Sequence, residues 1–146
     1  MAAVMTLYPS FFEAMGKGQI NLQTADLRLA LMDSGFTPDD GDAFWGDVSG
    51  SEISGTNYTT GGKQLTGKAV TLVGRRVKLT ADNVVWNELT ATFQWGVLYA
   101  YGGVHPLVAC IRFSESSIVN VSGLDYLVSW HSDGVISWGD APGGGM

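Results

Sequence analysis

The sequence predicts a mainly β chain: an antiparallel β-sandwich or barrel-like domain with one short N-terminal helix and a long ordered loop. Three observations carry this expectation. From Asp26 the pattern has period two, with Leu27, Leu29 and Leu31 alternating with Arg28, Ala30 and Met32, so the three leucines share one face of a strand. Six later stretches are rich in β-branched and aromatic residues and are separated by Gly, Asn, Asp, Ser or Pro, the punctuation of short strands. Only one segment carries a helix-start signal.

That segment is Ser10-Phe11-Phe12-Glu13, a capping-box pattern in which Ser10 and Glu13 can satisfy each other's backbone N–H groups. Pro9 before it and Gly16 and Gly18 after it limit the helix to about two turns, too short to persist without packing. The residues before it, 1–9, read as an apolar arm outside the core. The strand stretches are Ala69 to Val73, Arg75 to Leu79, Thr92 to Tyr101, Leu107 to Phe113, Tyr126 to Trp130 and Gly134 to Trp138. His131-Ser132-Asp133-Gly134 predicts a hairpin between the last two, because Asp-Gly readily supplies positive φ. A single β-domain is therefore expected over 10–138, followed by a flexible Gly-rich tail over 139–146.

Between the first two strands lies a segment from Ser34 to Gly67 that is dense in Gly, Asp, Ser and Thr. Its apolar residues Phe36, Phe44, Trp45, Val48, Ile53 and Tyr58 would be wasted in a solvated linker, so it reads as an ordered excursion packed on the domain or on a neighbour.

Charge restricts the function classes. Charged residues make up only 15% of the 146-residue chain, against about 25% in an average soluble domain, so much of the surface is neutral or apolar and suited to contact with neighbours. The net charge of −6 leaves no basic footprint for nucleic acid, and Arg75, Arg76 and Lys78 read as a solvated strand face. Cys110 stands alone in an apolar run, which excludes an internal disulfide and fits a buried thiol made in a reducing compartment. The N-terminus lacks the cationic start of a signal peptide, and no apolar run is long enough to span a bilayer, so neither secretion nor membrane insertion is expected.

Candidate catalytic and binding motifs fall in turn. Gly62-Lys63-Gln64 lacks the first glycine (Asn57) and the closing Ser or Thr of a phosphate loop and reads as a turn. Asp39, Asp40, Asp42 and Asp47 lack the ligand spacing of an EF-hand and read as a solvated acidic loop. His105 and His131, with one cysteine, make no zinc set, and no nucleophile elbow is present. No cofactor, metal or catalytic residue is expected. The five tryptophans, Trp45, Trp86, Trp95, Trp130 and Trp138, divide between core and contact, with a carbohydrate platform as a further reading.

Leu7-Tyr8 followed by Phe11 or Phe12, Lys17-Gly18-Gln19-Ile20-Asn21-Leu22 and Thr24-Ala25-Asp26-Leu27-Arg28-Leu29-Ala30-Leu31 resemble the start of a group of small virion proteins of tailed bacteriophages. Phe36-Thr37-Pro38, Asp47-Val48, the Ser54 to Gly62 stretch, Lys68-Ala69-Val70-Thr71, Gly96-Val97-Leu98-Tyr99, Pro106-Leu107-Val108-Ala109 and Trp130 to Ile136 continue the resemblance in order. Their co-linearity, not any one motif, gives it weight. Resembling sequences often have Gly at the place of Asn57, and the tail after Trp138 is particular to this chain.

The resemblance implies a head decoration (cement) or other accessory structural protein without catalytic residues. The expected partners are the major capsid protein and further copies of the chain, as a homotrimer where capsid symmetry is three-fold, with the virion capsid surface as location. A tail, fibre or head-tail adaptor component is the alternative, and a carbohydrate-binding module a third reading. Candidate interface residues are Val4, Met5, Leu7 and Tyr8 of the arm and Phe44, Trp45 and Tyr58 of the excursion.

Overall fold

The computed structural model describes residues 4–113, 118–130 and 134–139. It is mainly β, with antiparallel sheets and two short helices, and the sheets do not close into a barrel. The strands are β1 (Val4–Leu7), β2 (Asp26–Met32), β3 (Lys63–Gln64), β4 (Ala69–Val73), β5 (Arg76–Thr80), β6 (Val84–Phe93), β7 (Trp95–Tyr101), β8 (Leu107–Arg112), β9 (Val119–Val128) and β10 (Ile136–Gly139). The helices are α1 (Pro9–Gly16) and α2 (Trp45–Val48), the latter running into a 3₁₀ turn at Ser49–Ser51.

A five-stranded sheet in the order β1-β8-β7-β2-β3 is the centre of the molecule, with a three-stranded sheet β10-β5-β4 and a two-stranded ribbon β6-β9 beside it. The leucine face of β2 looks into the main core, where Leu27, Leu29 and Leu31 meet Phe11 of α1, Leu79 of β5, Trp86, Leu89 and Phe93 of β6, and Ile136 of β10. Each such side chain, withdrawn from water, contributes about 1.5–3 kcal/mol. The chain passes from the ribbon to the central sheet at Gln94, whose N–H donates to the Met32 carbonyl at 3.1 Å. The stretch Thr92 to Tyr101, expected as one strand, is thus the end of β6 and the whole of β7, in different sheets.

The opposite face of β2 is not the half-polar face that alternation suggests. Ala30 and Met32 are fully buried in a second cluster with Tyr8, Phe36, Val48, Val97, Tyr99, Leu107 and Cys110. The excursion from 34 to 67 explains this, because Phe36 and Val48 lie over that face and single bridges tie Glu52 to Met32, Phe44 to Pro106 and Thr56 to Thr90. It is an ordered part of the domain, ending in β3 against Arg28 and Leu29 of β2.

Three expectations are corrected. Residues 4–8 are no free arm: β1 pairs with β8 over Val4↔Arg112 to Leu7↔Ala109, and the Tyr8 N–H donates to the Val108 carbonyl at 3.0 Å. An apolar four-residue segment is stable here because it covers an otherwise open sheet edge. The capping box does not form either, for Pro9 starts the helix, as its fixed φ allows, and Ser10 Oγ donates to the Asp42 carbonyl at 3.3 Å instead. Finally, β9 and β10 are not a hairpin, since β9 pairs with β6 and β10 with β5. His131 to Asp133, and the tail from Asp140 onward, lie outside the described residues.

Candidate interaction surface

Besides the single bridges to Met32, Pro106 and Thr90, one carboxylate helps to fix the excursion to the central sheet. Glu52 Oε2 accepts from the Tyr58 hydroxyl at 2.6 Å and from the Gly61 N–H at 2.7 Å, and the same hydroxyl accepts from the Leu31 N–H at 3.1 Å. Tyr99 donates its hydroxyl to the Gly61 carbonyl at 2.7 Å. Burial, more than its neighbours, pushes the Tyr99 hydroxyl up to about 12 and that of Tyr58 higher still, so both remain donors at any ordinary pH. Asn57 has φ 64, a conformation that Asn tolerates, and its amide donates to the Glu88 carbonyl at 2.9 Å.

This scaffold presents a group of aromatic rings where α2 meets the β7–β8 turn. The Trp45 N–H donates to the His105 carbonyl at 2.8 Å, and the Leu107 N–H to the Ala43 carbonyl at 2.9 Å. The Trp45 ring stacks on Tyr99 at 4.4 Å and 12°. Tyr101 stacks with His105 at 4.6 Å, and the Arg28 guanidinium lies 3.7 Å from the same ring while bonding Asp26 in bidentate fashion. Phe44 is left 44% exposed and Tyr101 48%, with Val104 beside them in the turn. Trp45 and Tyr99, and Tyr101 and His105, thus spend ring faces on one another.

Asp47 holds the corner in place, its Oδ2 accepting from the N–H groups of Ala43 and Phe44, both at 3.0 Å. These bonds hold its carboxyl below the usual carboxylate range. A folded-state value below the unfolded one means that the contribution is full above the ordinary carboxylate pKa and is lost as pH falls through the lowered value. The Ala43 and Phe44 amide proton shifts are therefore expected to titrate together in that acid window, and Asp47→Ala to show the acid-limit shifts already at neutral pH; shifts that stay put would remove Asp47 from this role. Asp42 behaves oppositely, pushed up by burial and then by Asp39 and Asp47.

The seven sequence-predicted interface residues separate in the structure. Met5 and Leu7 are half-buried against the main core, Tyr8 is buried at 3% exposure, and Tyr58 is half-buried with its hydroxyl bonded to Glu52. Val4 lies in β1 opposite Arg112. Phe44 is exposed and its backbone bridges Pro106, while Trp45 stacks on Tyr99 and donates its N–H to the His105 carbonyl. Arg28, Tyr101 and His105, absent from the sequence-predicted set, stack close by. Other exposed apolar residues escaped the sequence reading: Leu72 and Val73 on β4, and Ile118, Leu124 and Leu127 on and before β9. A shallow groove of about 260 Å³ lies between Met15, Leu22, Val70 and Trp138. Among the described residues no three His, Cys, Asp or Glu side chains are placed to hold a metal ion, and no helix is long and apolar enough to cross a membrane.

No protein-family model, curated protein or solved structure matches this chain.

Proposed function

We propose that this chain is a structural protein of a tailed-phage particle, a capsid decoration (cement) protein that binds the major capsid protein on the outer face of the shell. The observation that carries the proposal is the surface: large hydrophobic side chains, among them Phe44, Leu72, Tyr101, Val104, Leu124 and Leu127, stand exposed on strands of different sheets and on connecting segments in a β-domain with a net charge of −6. A surface of that kind is suited to contact with neighbours on more than one side. The co-linear resemblance to small virion proteins supplies the setting, and Phe44 with its aromatic neighbours is the shell-facing contact. Each copy need contribute only a few kcal/mol beyond the entropy lost on docking, because the lattice repeats the site many times.

A cement protein acts after the lattice exists. Particles lacking it are expected to assemble but to release DNA at a lower temperature, and added purified protein to restore the parental temperature while protein carrying Phe44→Asp does not. Heads that release DNA at the parental temperature while tails are missing or defective would overturn the proposal in favour of a tail or head-tail component.

A further inference from the structure

Among the described residues β6 and β9 are the longest strands, ten residues each. The excursion crosses the outer edge of β6 at the Thr56–Thr90 bridge, whereas among the described residues no such bridge covers the outer edge of β9. One side of β9 pairs with β6, and among the described residues no strand pairs with the other. Open edges are ordinarily blunted by Lys, by Pro, by brevity or by a bulge. β9 has no Lys or Pro and is not short, its bulge is confined to Gly123, its one charged residue is Asp125, and its Leu124 and Leu127 are 66% and 58% exposed. The edge of β4 is half as long and ends at the Gly74-Arg75 turn, and that of β1 spans four residues.

The in-and-out pattern of β9 is symmetric about its middle. Val119 and Val121 face the core in its first half and Tyr126 and Val128 in its second, so the inward parity changes from odd to even between them. The change occurs at an irregularity in the pairing with β6, where Gly123 has φ 66 and Glu88 of β6 has φ 51. β6 carries the matching change, with Trp86 buried before the irregularity and Leu89 and Ala91 after it.

We propose that β9 pairs antiparallel with β9 of a second copy of this chain about a two-fold axis between Gly123 and Leu124, joining the two β6-β9 ribbons into a four-stranded sheet. In that register Val119 opposes Val128 of the second copy and Val121 opposes Tyr126, all on the core side. Asn120 opposes Leu127 and Ser122 opposes Asp125 on the outer side, so the only charged side chains of the strand are kept apart. A regular strand pairing with itself in this register would set inward residues against outward ones, because side chains alternate without interruption. The parity change at Gly123 removes that conflict on both halves at once, and each irregular centre meets another, as it already does in β6. An isologous contact of this kind closes at two copies, whereas the trimer expected from three-fold capsid symmetry needs two different patches.

The inference concerns the isolated chain and stands or falls apart from the decoration reading, which is tested on particles. Light scattering on a sizing column at tens of micromolar is expected to give twice the 15.5 kDa chain mass. Leu127→Lys, at an exposed position, is expected to give the single-chain mass with an unchanged circular dichroism spectrum. In the double variant Asn120→Cys with Leu127→Cys, opposed positions lie within disulfide reach and oxidation is expected to give a covalent dimer, while Asn120→Cys alone gives none. A monomer or trimer in the parental protein, a dimer indifferent to Leu127→Lys, or no covalent dimer from the double variant would each overturn the pairing.

Discussion

Tyr8→Ala is expected to cost about 3–5 kcal/mol of folding stability, the range for emptying a large aromatic site in a core. Removal of residues 1–8 is expected to leave little folded protein at ambient temperature, since a domain of this size has only about 5–15 kcal/mol to lose. Tyr8 lies with Met32, Phe36, Val97 and Leu107 under the excursion, and its main chain continues the β1-β8 ladder that closes the edge of the central sheet. Its loss would leave a cavity beneath the excursion, and loss of β1 would also open the β8 edge. The measurement is urea denaturation followed by far-ultraviolet circular dichroism, with Phe12→Ala, an exposed position on α1, as a control expected to change stability by under about 1 kcal/mol. A truncated chain that unfolds at the parental urea concentration would return the segment to the status of a detachable arm.

Local patterns in the sequence reported the strands whose partners leave one clear face to the core, and missed those settled at long range. The leucines of β2 and the apolar run of β8 were legible because burial on one face, or on both, leaves its period in the chain. Val4-Met5-Thr6-Leu7 has no such period, and its partner β8 lies about a hundred residues away in the chain. The Asp133-Gly134 pair carries good hairpin chemistry, yet strand pairing is decided by which faces the core can bury, and β10 is taken by β5. The candidate surface was half legible for the same reason. Phe44 and Trp45 stood out as apolar residues in a polar stretch, whereas Arg28, Tyr101 and His105 join them only through stacking across β2, β7 and the turn that follows. The parity change in β9 is likewise invisible until its pairing with β6 is known.

Gly62→Ala is expected to destabilise the fold by about 2–4 kcal/mol and to loosen the whole excursion rather than one turn. A Cβ at this position would lie 2.1 Å from the Leu29 carbonyl oxygen and 2.7 Å from the Ala30 Cα, both backbone atoms of the central strand that cannot rotate aside. The residue also has φ 85, which adds about 1 kcal/mol or more of strain for any side chain. Relief requires the segment to retreat from β2, and that retreat would strain the bonds of Gly61 to Glu52 and Tyr99 and the short β3 pairing. Trp45 would then lose part of its support, because Tyr99, on which it stacks, donates its hydroxyl to the displaced Gly61 carbonyl. The near-ultraviolet circular dichroism of the aromatic cluster is thus expected to fall at temperatures where the far-ultraviolet signal of the sheets persists. Gly16→Ala serves as the control: it lies at the end of α1 with nothing within 4 Å of the added carbon, so no loss is expected. If Gly62→Ala melts with the parental protein and keeps its aromatic signal, the close approach of this loop to β2 is not what holds Phe44 and Trp45 at the surface.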